Sequence, residues 1–291
     1  MLQINSNLKN NATLYYKTLF RIVQLLNEAQ TIKRATPVFW TQLVVSVANL
    51  GDPEGAITQN YMEKVIKKLK FHVKNLDKEL LVPLYWAFAK LQMTSDPEIL
   101  TEILEKLQSQ PLNSQLFYLY YQACCLYDLT LKDDSKAKQM VREFLANKSN
   151  FKKYSSISEE FYKKKLELEE VIPGSRMTSE SAATEIYGFL KDLGYTPSRA
   201  EIGGIWAPTY LKAENKVINV YSSEDLLIDQ KTPIGIVDAE EQIIKHGRGC
   251  EIVRIYLKEY KIQGSECETV EDIKKARKKF LADALTQPAM E

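Results

Sequence analysis

The chain has 291 residues, 45% of them hydrophobic, and 39 Lys+Arg against 38 Asp+Glu give a formal charge of +1. That balance describes a globular protein able to bury a core over a length that fits two domains, and it argues against a dedicated polycation or a membrane-spanning chain. Four cysteines (Cys124, Cys125, Cys250, Cys267) without a CxxC, and only two histidines, His72 and His246, argue against a disulfide framework and a zinc site, so no metal or cofactor is expected.

The amino terminus has no secretory signal. It is free of acids until Glu28 and carries Lys9, Lys17 and Arg21, a weak echo of an organellar presequence. The stretch Leu14 to Leu26 reads more readily as a structural helix. Three segments then share one pattern: LVVSVANL from Leu43, LYWAFAKL from Leu84 and LYYQACCL from Leu119. Apolar residues at i, i+4 and i+7 line one helical face in each. The position after the middle one is small every time (Ala48, Ala89, Cys124), which lets a neighbouring helix approach closely. A turn region follows each segment: GDPEG from Gly51, TSDPE from Thr94 and KDDS from Lys132. Second amphipathic helices come next, with apolar pairs Val65/Ile66, Ile103/Leu104 and Met140/Val141 spaced 38 and 37 residues apart. Two helices per unit at that period predict an α-solenoid, in which stacked pairs bury faces that single pairs cannot. The aromatic set Phe117, Tyr118, Tyr120, Tyr121 and Tyr127 fits packing between repeats better than base stacking. Cys124 and Cys125, in the same run, read as small core residues.

The helical-repeat domain is expected over residues 1–148, and a linker with the charged helix EEFYKKKLELEE over 149–177. An α/β domain with a terminal helix is expected over 178–291. This last part opens on a capping pattern at Thr178 or Ser179 followed by acids. The helix to Leu193 then ends on Gly194. Strand-like runs follow at Ile202–Leu211, Lys216–Ser222, Pro233–Asp238 and Cys250–Leu257, with a short helix from Ala239 to His246 and a final helix from Val270 to Leu285.

FLKDLGY, VINVYSS, EEQIIKHGRG and CEIVRIYLKEY, in that order, resemble the RAP domain. RAP domains lie at the carboxyl end of organellar RNA-associated proteins. They commonly follow helical repeats of the heptatricopeptide and octotricopeptide kind or the helical modules of FAST-kinase-like proteins. The resemblance covers roughly residues 39–148 and 178–262, and it implies a small endonuclease-like (RAP-like) fold behind the repeats. That fold, in its active relatives, places an acid-x-Lys tripeptide on the second core strand, where carboxylates and a lysine hold a metal and activate water. Here Asn219, Val220 and Tyr221 occupy those positions. Ser222, Ser223, Glu224 and Asp225 do not restore the pattern, the acidic DG is missing, and Glu201 and Glu214 stand isolated. The resemblance therefore implies a scaffold use of the fold rather than an enzyme, and no catalytic residue or metal ligand is assigned.

Candidate contact residues fall into three groups. Lys64, Lys67, Lys68 and Lys74 can share the solvent face of one helix, a phosphate-tracking surface or a plain solvated exterior. Lys274, Lys275, Arg277, Lys278 and Lys279 form a second basic cluster on the terminal helix, suited to RNA or an acidic protein partner. Trp206 and Tyr210, beside Gly203–Gly204, are candidates for stacking on a base. His246, in KHGRG at a helix end, suits the helix dipole rather than a catalytic role. The charge divides as +4 over residues 1–150 and −3 over 151–291, and only 8 of the 39 basic residues are Arg. These features point to a subunit held among proteins and RNA rather than a free RNA binder. The expected function is a non-catalytic component of a mitochondrial ribonucleoprotein such as the mitochondrial ribosome. It would sit in the matrix, against ribosomal or other organellar RNA and neighbouring proteins. The alternative is a pure protein scaffold or an accessory subunit of another mitochondrial complex; an active RAP-type nuclease is a third reading.

Overall fold

The computed structural model describes residues 36–50, 63–94, 96–168, 177–226, 233 and 235–286. The helix expected over Leu14–Leu26, the first inter-helix turn at Gly51–Gly55 and the break at Pro173–Gly174 lie outside the described residues. The chain is mostly helical, with a small four-stranded mixed sheet on its carboxyl-terminal side. It divides into two compact units, Met1–Tyr154 with Leu227–Glu240, and Ser155–Leu226 with Glu241–Glu291.

The first unit contains α1 (Pro37–Leu50), α2 (Glu63–Lys70), a 3-10 turn (Val73–Asn75), α3 (Lys78–Lys90), α4 (Pro97–Gln108), α5 (Ser114–Thr130) and α6 (Lys136–Ala146). Each of α3 to α6 starts on a side chain that accepts a bond from an otherwise orphaned backbone N–H: Asp77 from Leu80, Asp96 from Ile99, Asn113 from Leu116 and Ser135 from Lys138. Helices α1, α3 and α5 lie side by side, α4 packs on α6, and α3–α4 and α5–α6 pack as pairs. The small residues Ala48, Ala89 and Cys124 are buried at 1%, 1% and 0% exposure, which is what permits the close approach of α1, α3 and α5. The aromatic set of α5 is buried too. Tyr85 packs on Tyr127 and Tyr120, and Tyr154 stacks on Tyr121 at 4.2 Å between ring centroids.

Helix α7 (Lys148–Leu168) runs on from the first unit into residues of the second, so the unit boundary falls inside a helix. The second unit continues with α8 (Ser179–Asp192), β1 (Pro197–Ile202), β2 (Ile205–Leu211) and β3 (Lys216–Tyr221). Then come α9 (Gly235–Arg248), β4 (Glu251–Tyr256), α10 (Leu257–Ile262) and α11 (Val270–Thr286). The sheet order is β1-β2-β3-β4, antiparallel except for the β3–β4 pair, which is parallel and registers Lys216 on Glu251 through Tyr221 on Tyr256. Leu211, Ile218, Val253 and Ile255 on one face pack against Ala182, Ile186 and Leu190 of α8 and Leu281 and Leu285 of α11.

Three local readings are corrected. The run Ile202–Leu211 is not one strand, because Gly203 and Gly204 adopt φ of +65° and +85° and fold it into a tight hairpin with β1. Two consecutive positive-φ positions are the requirement of a two-residue hairpin turn. Within the run Pro233–Asp238, Gly235–Asp238 form the start of α9 rather than a strand, since a short apolar run reads equally as strand or buried helix. The cap of α8 is a reciprocal pair of Thr178 and Ser181, with no acid involved.

Candidate functional site

In the second unit, α7, α8 and the β1–β2 hairpin surround a cleft of about 620 Å³. The hairpin is held to α7 by Ser158, whose hydroxyl accepts from the Trp206 backbone N–H at 3.2 Å, and by a hydrogen bond from Ser155 to Glu201. Strand β2 alternates: Ile205, Ala207, Thr209 and Leu211 are buried, while Trp206, Pro208 and Tyr210 lie half-buried on its other face. Trp206 and Pro208 thereby enter the cleft. Helix α8 turns its stripe Ala182, Ile186, Phe189 and Leu190 to the core and an adjacent stripe, Glu180, Ala183, Thr184 and Tyr187, to the cleft. Helix α7 adds Glu159, Tyr162 and Lys163. The bulge between Ser198 and Ala200 leaves Arg199 exposed at the rim.

The cleft is aromatic, with charges of both signs. Glu159 and Lys163 pair with each other at 2.7 Å. Lys191 lies over the Tyr187 ring at 4.9 Å, and the Tyr187 hydroxyl donates to the Pro197 carbonyl at 2.7 Å. Among the described residues the Trp206 indole has no ring partner, and neither its N–H nor the Arg199 guanidinium has a hydrogen-bond partner. Tyr210, the second stacking candidate, stands outside the cleft and donates to Asn215 at 3.3 Å.

The lysine groups are placed differently from one another. Helix α2 ends at Lys70, so Lys74 sits on the 3-10 turn and not on the same helical face as Lys64, Lys67 and Lys68; the side chains of these three lie outside the described residues. Lys70 pairs with Asp96 and Glu98, Lys74 with Glu102, and Lys136 with Glu105. The ammonium of Lys70 is held above its usual range by hydrogen bonds to Glu98 and Asp96. On α11, Lys274, Lys275 and Lys279 are exposed, whereas Arg277 is turned inward onto Glu185 at 3.3 Å and Lys278 approaches Asp192 at 3.4 Å. His246 is exposed in the last turn of α9.

On the sheet face opposite α8, Asn219 donates to the Tyr221 hydroxyl at 3.0 Å, and Tyr221 donates to Glu241. Arg254 grips both Glu241 oxygens, its Nε at 3.1 Å from each. Burial and the Glu241 carboxylate push the Tyr221 hydroxyl well up, and the same carboxylate keeps Arg254 charged. The positions where the resemblance implies an acid-x-Lys tripeptide thus hold an amide and a phenol. Among the described residues no group of three or more His, Cys, Asp or Glu side chains could hold a metal ion, and no helix is long and apolar enough to cross a membrane.

The residues that make the cleft, Tyr162, Tyr187 and Arg199, are absent from the expected set. The signal that could have found Tyr187 is the Glu180-Ala183-Thr184-Tyr187 spacing beside the core stripe of α8. No family model matches the chain, and no curated protein sequence matches it.

Proposed function

We propose that this chain is a non-catalytic component of an organellar, specifically mitochondrial, ribonucleoprotein, with its second unit turned to RNA and its helical unit to neighbouring proteins. The observation that carries this reading is the contrast between the two lysine groups. In the helical unit, Lys70, Lys74 and Lys136 pair with carboxylates of the adjoining helices. Lys274, Lys275 and Lys279 instead form an exposed strip on α11, suited to releasing counterions from a phosphate backbone.

The architecture supports the RAP-like resemblance. Two layers of packed helix pairs precede a helix, a three-stranded antiparallel meander, a crossover helix and a parallel strand. That is an order compatible with helical repeats followed by an endonuclease-like scaffold. The second reading, a protein scaffold in another mitochondrial complex, is favoured by the same three paired lysines, whose charge is met by carboxylates of the chain itself.

Native purification of the tagged chain, with mass spectrometry of its partners before and after RNase treatment, tests the reading. Recovery of RNA together with ribonucleoprotein components, partly lost after RNase, is the expected result. Recovery of one protein assembly unchanged by RNase would replace it with the scaffold reading.

A further inference from the structure

We infer that the cleft between α7, α8 and the β1–β2 hairpin receives a single unstacked nucleobase, laid against Trp206 with its phosphate at Arg199. The inference deepens the RNA reading but rests on the cleft's own chemistry. A purely cationic guest would meet Arg199 and Lys163. A purely anionic one would meet Glu159 and Glu180. With Glu159 and Lys163 neutralising each other, the remaining charges are Glu180 and Arg199, one of each sign. A planar, nearly neutral ring carrying one anionic substituent satisfies both. The ring takes the open face of the Trp206 indole, with Tyr187 and Tyr162 completing the apolar walls. The phosphate takes the unpartnered guanidinium of Arg199. Glu180 and Thr184 supply acceptors for an exocyclic amino group. The volume of about 620 Å³ is the size of a small-molecule site.

Such a site differs from the α11 lysine strip in its salt dependence. One phosphate contact on a single strand gives a slope of about −0.7 in log K against log salt, whereas each further lysine contact steepens it by a similar amount. The nucleobase could belong to a single-stranded RNA or to a free nucleotide, and the test separates the two.

The chain carries its own probe. Of its three tryptophans, Trp40 and Trp86 are 3% and 1% exposed, so quenching by a stacked base reports on Trp206. The full chain is titrated with adenosine 5′-monophosphate and, separately, with a short oligoadenylate. Tryptophan emission is followed for both ligands, and anisotropy of the labelled oligonucleotide is recorded across a range of salt concentrations. Saturable quenching by both ligands with a shallow salt slope is expected. It should be abolished in Trp206→Phe, and affinity should fall roughly tenfold or more in Trp206→Ala and in Arg199→Ala, with far-UV ellipticity intact. Quenching by the monophosphate alone assigns the cleft to a free nucleotide. That outcome leaves this inference standing even where native purification shows no RNA. Steeply salt-dependent oligonucleotide binding with silent Trp206 emission overturns the cleft assignment and leaves the RNA reading untouched. Absence of quenching by either ligand overturns it as well.

Discussion

Raising the pH above the ordinary tyrosine range should unfold the helical unit in a narrow interval, and the structure sets how narrow. Tyr85, Tyr118, Tyr120, Tyr127 and Tyr154 are all buried there, at 4% exposure or less. Burial, the largest cause in each case, pushes every one of these hydroxyls well above its usual value. A raised folded-state value means that the stabilisation is complete below the unfolded value, near pH 10, and is lost as pH rises past it, because only the unfolded chain can release the protons. Each retained proton tilts stability by about 1.4 kcal/mol per pH unit, so five together remove about 7 kcal/mol per unit above pH 10. A domain holds only about 5–15 kcal/mol, and the unit should therefore unfold within about one to two units of that point. Tyrosinate absorbance and far-UV ellipticity, followed together, provide the assay. The buried-tyrosine step should coincide with loss of helix. Tyr85→Phe, whose hydroxyl faces the Cys124 sulfur and has no oxygen or nitrogen partner, should make the loss of stability with pH shallower by about 1.4 kcal/mol per unit. Complete ionisation of all tyrosines near pH 10 with full ellipticity retained would refute the reasoning.

Two substitutions probe the packing of the same unit. Gly235→Ala would place a Cβ 2.7 Å from the Ala48 carbonyl oxygen and 2.9 Å from the Asn49 Cα. Overpacking against backbone should cost about 1–3 kcal/mol, and the first residue of α9 gains little of the helix propensity that an interior position would, so the urea midpoint should fall; a rise would show that the backbone yields. Lys138, 4% exposed, caps the end of α5 by donating to the carbonyls of Asp128 and Leu131. Lys138→Met keeps the stem but orphans those carbonyls, and should cost about 1–3 kcal/mol in the same assay, whereas an unchanged midpoint would show that water replaces the ammonium.

How much of this was legible depends on the range of the interaction. The small residues Ala48, Ala89 and Cys124 sit in a fixed phase with the apolar stripe, so their burial follows from helical spacing alone. The partners of Lys70, Lys74 and Lys136 lie 26 to 31 residues away along the chain. They become neighbours only once helix pairs stack in register, so the sequence shows these three lysines without the carboxylates that meet them. Arg277 reads as part of a cationic cluster because Glu185, its partner, is 92 residues distant. Trp206 was identifiable beside the Gly203–Gly204 turn. The cleft around it was not, because its walls come from two helices and a hairpin. The inclusion of residues 235–240 in the first unit has no local signal, since an apolar run such as GIV is equally suited to either setting.

The cluster around Glu241 bears on whether the second unit acts or only binds. Hydrolysis through a metal requires carboxylate oxygens free to coordinate it and a lysine near the attacked atom. Here the Glu241 carboxylate is 95% or more withdrawn from solvent and both its oxygens are taken by the Arg254 fork. A cation would have to displace a guanidinium already matched to it in geometry and charge, and neither Asn219 nor Tyr221 offers a second anionic ligand. What the cluster does achieve is mechanical. Tyr221 on β3, Arg254 on β4 and Glu241 on α9 join three elements through one carboxylate, and removing any partner leaves a buried charge or hydroxyl unmatched. Such a group favours one arrangement of crossover helix and sheet over its competitors. A rigid sheet, in turn, fixes β2, and with it the half-buried face of Trp206 and Pro208 that opens into the cleft. On the non-catalytic reading, the polar centre of the sheet is a structural tie, and recognition lies on the surfaces that the tie holds in place.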